Sequence, residues 1–257
     1  MRILLAQERL LMLKTEFCGV SFANPLILPS GIITQISEHF EAYKAGAGGI
    51  TLKSLTVEPR KGYPKPWIVK FDHGYLNAVG LANPGIIEAK KQIEELQKMI
   101  KVPLIISLFA TTVNDFQKLV SAVVPLVPAA IELNLSCPHV TSEFGKKPLA
   151  MGKESSAKVV KAVKKIVKKI PIIAKLTPNV ADISEVAKAC EQAGADGICA
   201  INTLGPGMVI NVKTKKPVLG NKRGGVSGSA IKPIAIRCVY DIYEAVKIPI
   251  IGMGGIG

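Results

Sequence analysis

The chain has 257 residues, 48% hydrophobic and 20% charged, a balance that excludes a disordered or fibrous protein and leaves room for one sizeable core or two small ones. Its formal charge of +14 comes from 33 Lys and Arg against 19 Asp and Glu. Much of that charge lies in helical stretches such as Lys158 to Lys169, as on a solvated helix face, and no aromatic and glycine pattern of an RNA-binding sheet accompanies it.

The opening segment, "MRILLAQERLLMLKTEF", is interrupted by Glu8 and Arg9 and has no small-residue cleavage site, so it does not read as a signal peptide. No apolar run reaches the length of a membrane span. The five cysteines are widely spaced, with no CxxC pair, and point away from a disulfide scaffold, a complete zinc site or an iron–sulfur site. A cytoplasmic location is expected.

The stretch "KTEFCGVSFANPL" predicts a small hairpin of the kind that covers the floor of a barrel. Seven apolar segments with strand character come next: Pro25 to Pro29, Gly48 to Leu52, Pro103 to Leu108, Ala130 to Leu135, Pro171 to Leu176, Gly197 to Ile201 and Pro249 to Ile251. Such continuous runs suit parallel strands buried on both faces. Helical patterns alternate with them at Ser37 to Ala45, Ile86 to Met99, Val113 to Val124, Glu154 to Lys169, Ile183 to Ala193 and Ile231 to Val246. Two "AGA" turns, Ala45 to Ala47 and Ala193 to Ala195, end helices just ahead of strands. With no Pro/Gly/Ser-rich linker between halves, a single closed or nearly closed α/β barrel over residues 1–257 is favoured over a doubly wound sheet. The last residues, "IPIIGMGGIG", supply a seventh strand, so a (β/α)8 TIM barrel would be one strand and one helix short.

A barrel places its active site at the C-terminal ends of its strands. Lys53 and Ser54 end the second strand, Asn134, Ser136 and Cys137 the fourth, Lys175 the fifth, and Asn202 with Thr203 the sixth. Two lysines at one mouth call for an anionic or electron-rich ligand, because an uncompensated buried charge is costly. The amides of Asn134 and Asn202, with Asn77 from the long loop after the second strand, suit a flat heterocycle with alternating carbonyl and N–H groups. Cys137, in "ELNLSCPH", is open to roles as base, nucleophile, ligand or packing; the other four cysteines read as core residues. Glycines in "NKRGGVSGSAIKP" and "GMGGIG" expose backbone N–H groups that can cradle a phosphate, although neither stretch is a full P-loop or dinucleotide fingerprint.

Several motifs together resemble the catalytic subunit of class 1B dihydroorotate dehydrogenases: "FANPLILPSG", "GAGGITLKSLT", "NAVGLANPG", "ELNLSCPH", "AKLTPN", "INTLGPGMVINVKTKKPVLGNKRGGVSGSAIKPIAIRCVY" and "IPIIGMGGI". The resemblance covers nearly the whole chain. It implies an FMN-bearing barrel that oxidises (S)-dihydroorotate to orotate in pyrimidine biosynthesis, with Cys137 taking the C5 proton while the C6 hydride passes to FMN. By motif position it assigns Asn77, Asn134, Asn202 and Thr203 to the pyrimidine, and Lys53 to the space between substrate and flavin. Lys175 falls near the flavin N1 and O2 region. Ser30, Gly31, Ser54 and Asn134 belong beside the flavin, and Gly228, Gly254 and Gly255 near its phosphate.

In that family the electrons continue through a separate subunit carrying FAD and a [2Fe-2S] cluster to NAD, which implies a homodimer of barrels with iron–sulfur flavoprotein partners. The absence of cluster cysteines here agrees with that division. One departure is His139, where the family has an asparagine that helps hold orotate; "CPH" also resembles the pyrimidine-binding region of dihydropyrimidine dehydrogenases, which reduce uracil and thymine. A degenerate barrel serving as a structural or anion-binding subunit is the non-enzymatic alternative.

Overall fold

The computed structural model describes residues 13–135 and 152–256. The chain opens with a hairpin, β1 (Thr15–Phe17) and β2 (Val20–Phe22), paired antiparallel with Phe17 opposite Val20. Strand β3 (Ile27–Leu28), helix α1 (His39–Lys44) and β4 (Gly49–Thr51) come after it. An excursion then forms β5 (Ile68–Phe71) and β6 (Gly74–Asn77) before α2 (Gly85–Met99). The alternation resumes with β7 (Leu104–Leu108), α3 (Val113–Val123), β8 (Ala130–Asn134), α4 (Lys153–Ile166), β9 (Ile172–Lys175), α5 (Ile183–Gln192) and β10 (Gly197–Ala200). A second excursion carries β11 (Leu204–Gly207), β12 (Ile210–Asn211), β13 (Lys216–Pro217) and β14 (Gly224–Ser227). Helix α6 (Lys232–Ala245) and β15 (Ile250–Gly252) complete the described chain.

Seven strands form one parallel sheet in the order β15-β10-β9-β8-β7-β4-β3, the sequential winding of a (β/α) barrel. Its outer strands, β3 and β15, each have one edge without a strand partner among the described residues. The predicted hairpin forms, and all seven predicted strand segments lie in this sheet.

Because side chains alternate across a strand, each run divides between two faces. Ile106, Leu108, Ile131, Leu133, Ile172, Ala174, Ile198 and Ala200 join the core shared with the helices. Ile105, Ala130, Ile173 and Cys199 form a separate cluster with Phe17 and Phe22, so the hairpin plugs the inner face from below. The helices bury matching stripes: α3 places Phe116, Leu119, Val120 and Val123 inward, and α4 buries Val159, Val160 and Val163 while its lysines face out. Side-chain caps fix two helix starts. Thr112 Oγ1 accepts from Asp115 N at 3.1 Å, and Asp182 Oδ1 accepts from Ser184 N at 2.8 Å. Gly46 and Gly194 take φ of 90° and 99° where α1 and α5 end, the left-handed turn that the "AGA" motifs predict.

The excursions pair with each other although they are far apart in sequence. They build a four-stranded antiparallel sheet, β11-β14-β6-β5, in which Asn77 lies opposite Gly225. Asn77, expected on a loop, therefore sits on a strand, and Gly224 and Gly225 belong to β14 rather than to a phosphate-binding turn. The glycines serve close approach: a Cβ on Gly225 would collide with the Thr203 side chain, and one on Gly224 with the Asn77 backbone. Among the described residues no helix is long and apolar enough to cross a membrane.

Candidate active site

Moving one inward-facing position along the strands, from the floor towards their C-terminal ends, changes the chemistry. Ile105 is succeeded by Ser107, Ala130 by Glu132 and Asn134, and Ile173 by Lys175. In register, Ser107 lies opposite Glu132, and Asn134 opposite Lys175, which lies opposite Cys199. All of these polar residues are buried.

A cavity of about 430 Å³ opens above this layer, within the range of small-molecule sites. Its walls include Ser30, Gly31, Lys53, Ser54, Asn77, Asn134, Lys175, Asn202 and Thr203, so residues from both sheets and from several strand ends converge there. Ser54 Oγ is the centre of a hydroxyl and amide network: it lies 2.9 Å from Ser107 Oγ and 3.3 Å from Ser30 Oγ, and accepts from Asn134 Nδ2 at 3.1 Å. On the opposite wall Asn77 Nδ2 donates to Gly225 O at 3.2 Å, and Asn202 Oδ1 accepts from Thr203 N at 2.8 Å. These contacts preset the directions of the amides before a ligand arrives.

The lysines differ in setting. Lys53 Nζ lies over Gly31, where a Cβ would approach it to 3.4 Å, and Gly31 has φ +94°, a backbone that favours glycine. Lys175 has a side chain only 4% exposed; its Nζ lies 3.7 Å from Glu132 Oε1 and makes no hydrogen bond to the described residues. That distance supports charge attraction but is too long for a hydrogen bond. An ammonium with three donors at a cavity floor fits an electron-rich ring with carbonyl acceptors. The flat approach over Gly31 fits the same ring, so the residues present suit a flavin.

The glycines assigned to the phosphate gather beside this cavity rather than in its wall. Ser227 lines the cavity, and the next residue, Gly228, has φ +93°. A Cβ on Gly255 would lie 2.9 Å from Gly228 O, so the two glycine stretches meet ahead of α6. Gly254 lines a second depression along α6 and β15 that holds none of the other predicted site residues. Cys137 and His139 lie outside the described residues.

Residue-by-residue reading of the sequence missed three residues. Ser107 and Glu132 sit within apolar runs, where their only signal is a polar residue at an inward position. Asn179 is in the quoted "AKLTPN" motif but received no role. It lines the cavity, its Nδ2 donates to Thr203 O at 3.1 Å, and its Oδ1 accepts from Gly205 N at 3.0 Å, so it holds the loop that carries Asn202 and Thr203.

The sequence model of the dihydroorotate dehydrogenase family matches residues 12–257. Proteins named dihydroorotate dehydrogenase B (NAD(+)), catalytic subunit, are similar along most of the chain. The one from Pyrococcus abyssi is 46% identical over 250 residues, covering 95% of this chain and 80% of the relative. That from Methanocaldococcus jannaschii is 44% identical over 252 residues with the same coverage, and that from Methanothermobacter thermautotrophicus 42% over 246 residues, again covering 95% and 80%. In fold the chain is similar to a crystal structure of DHODH in complex with ferulenol from Eimeria tenella, with TM-score 0.78 and 19% identity, covering 95% of this chain and 73% of that one.

Proposed function

The chain belongs to the dihydroorotate dehydrogenase family, in its NAD-linked class 1B branch, and on that premise we propose which of its residues oxidise dihydroorotate to orotate and how. The observation that carries the assignment is the convergence of Lys53, Lys175, Asn77, Asn134, Asn202 and Thr203 on one cavity. FMN, when bound, supplies the acceptor for the substrate C6 hydride and passes the electrons on.

The chain's residues perform the remaining work. Asn77, Asn134 and Asn202 offer donor and acceptor pairs that match the ring amides of a dihydropyrimidine, with Thr203 and His139 completing the set. Lys53 and the preset amides attract the substrate carboxylate, and its charge-assisted contacts strengthen as water is excluded. Ser30, Gly31 and Ser54 would line the flavin's place, and Lys175 would supply a cation to its electron-rich ring. The phosphate belongs with Gly228, Gly254 and Gly255, ahead of the N-terminus of α6, where backbone N–H groups and the helix dipole favour an anion.

Cys137 comes shortly after β8 in sequence and acts as the base that removes the C5 proton. A thiolate is required, and the cations of the cavity favour it. A separate iron–sulfur flavoprotein subunit with FAD and a [2Fe-2S] cluster would supply the route for the electrons to NAD, and the barrels would pair as homodimers.

Anaerobic mixing of the FMN-loaded protein with dihydroorotate tests this reading. Dihydroorotate is expected to bleach the flavin absorbance, with kcat/KM favouring it over dihydrouracil, which lacks the carboxylate. Comparable kcat/KM for the two would shift the assignment to a dihydropyrimidine dehydrogenase-like activity.

A further inference from the structure

Glu132 is the least expected residue of the inner face. It stands in the middle of β8 with its side chain 3% exposed, one inward position beyond Ala130 of the apolar floor and opposite Ile173 in register. Burying a carboxylate is costly, and an aliphatic residue here would extend the floor without that cost. Its Oε1 has no hydrogen-bond partner among the described residues, yet it lies 3.7 Å from Lys175 Nζ. The Cys199 thiol hydrogen-bonds the carboxylate, which leaves Oε1 facing the ammonium, an arrangement that calls for a reason beyond packing.

The surroundings supply one. Lys175 has the carboxylate beneath it and the open cavity above it, so the ammonium is held between a fixed negative charge and the ligand. We propose that Glu132 is a positioning residue that holds the Lys175 ammonium at the cavity floor and offsets its charge, and so sets how strongly the site prefers reduced over oxidised flavin. The inference rests on the flavin-binding assignment above. Its electrostatic logic is direct: the reduced flavin is the more electron-rich form, Lys175 stabilises it, and Glu132 beneath moderates that stabilisation through low-dielectric surroundings. The thiol of Cys199, opposite Lys175 in register, is the other titratable group that acts on this pair. Burial first and the Glu132 charge second push it well up from 9.0, so it stays neutral and leaves the balance to the lysine and the carboxylate.

The test compares the FMN midpoint potential and FMN dissociation constants of four proteins: wild type, Glu132→Gln, Lys175→Met and the double variant. Glu132→Gln keeps the shape and removes the charge. It is expected to raise the preference for reduced flavin about tenfold, a rise of about 30 mV for a two-electron couple. In the Lys175→Met background the same change shifts the potential little, because its effect passes through the ammonium. The double variant removes both charges and so guards against a fold lost through one unpaired charge. An unchanged potential in Glu132→Gln, or an equal shift with and without Lys175, overturns the inference and returns Glu132 to a purely structural role. A wild-type protein that binds no FMN instead removes the flavin assignment itself.

Discussion

Two layers inside the same sheet differ by one or two steps along its strands. Below, Ile105, Ala130, Ile173 and Cys199 pack against Phe17 and Phe22 of the hairpin. Above, Ser107, Glu132, Asn134 and Lys175 occupy the next inward positions. Backbone geometry and helical support are shared, so what separates an apolar plug from a polar layer beneath the cavity is the choice of side chain further along the strand. The lower layer stabilises the fold by removing apolar surface from water. The upper layer holds polar groups in fixed directions at a cost that the lower layer and the helices offset. Mutations in the two layers therefore have different signatures.

The largest expected effect on stability is in the floor. Phe22 is 1% exposed and packs so closely on Gly49 that a Cβ there would lie 2.6 Å from its ring. Phe22→Ala costs about 3–5 kcal/mol in denaturant unfolding. The visible spectrum of bound FMN stays unchanged, because the cavity walls do not include Phe22. A spectrum altered as much as the stability would mean that the layers are not separable.

A smaller effect, confined to binding, is expected in the roof, the four-stranded antiparallel sheet β11-β14-β6-β5. Asn77→Ala removes a side chain that lines the cavity and donates to Gly225 O. Dihydroorotate binding weakened by about 1 kcal/mol, roughly a fivefold rise in KM with little change in folding stability, is the expected result. Equal losses in stability and in KM would make Asn77 a sheet-pairing residue only.

The smallest effect is a pH dependence of the floor. Burial raises the Cys199 thiol well above 9.0, so the folded protein keeps this proton at pH values where the unfolded chain has lost it. The unfolded state then binds fewer protons, and stability falls as pH rises above 9.0. Unfolding free energies measured between about pH 8 and about pH 10 should decline, less steeply in Cys199→Ala. A decline identical in the two proteins would assign the pH dependence to other groups.

The two sheets also differ in how far the sequence revealed them. The inner strands of the parallel sheet, β4 and β7 to β10, are buried on both faces, so "PLIISL" and "PIIAKL" stand out as apolar runs, and the glycines of "AGA" mark the helix ends before strands. The roof has neither signal. Its strands are short and contain Gly, Pro and Lys, and their pairing joins Asn77 to Gly225 across 148 positions, a relation no local pattern encodes. The site shows the same division. That Lys53, Asn134 and Lys175 gather at one cavity was readable because strand ends are where a barrel carries its chemistry, and the resemblance of whole motifs supplied the roles proposed for them. Glu132 and Ser107 were not, because a polar residue inside an apolar run gains its meaning only from the neighbour across the sheet.

The proposed oxidation of dihydroorotate, with Cys137, just beyond β8 in sequence, as the proton-abstracting base, can be put to a direct kinetic test. The measurement is anaerobic stopped-flow reduction of bound FMN by dihydroorotate in the wild type and in Cys137→Ser. General-base catalysis supplies roughly 10²–10⁴ in rate, so the variant should keep its FMN and much of its substrate affinity while its flavin is reduced slower by about that factor near neutral pH, with the residual rate rising as pH is raised. An unchanged reduction rate in the variant, with the chemical step shown to be rate-limiting, would contradict the role of Cys137 and make His139 the next base to test.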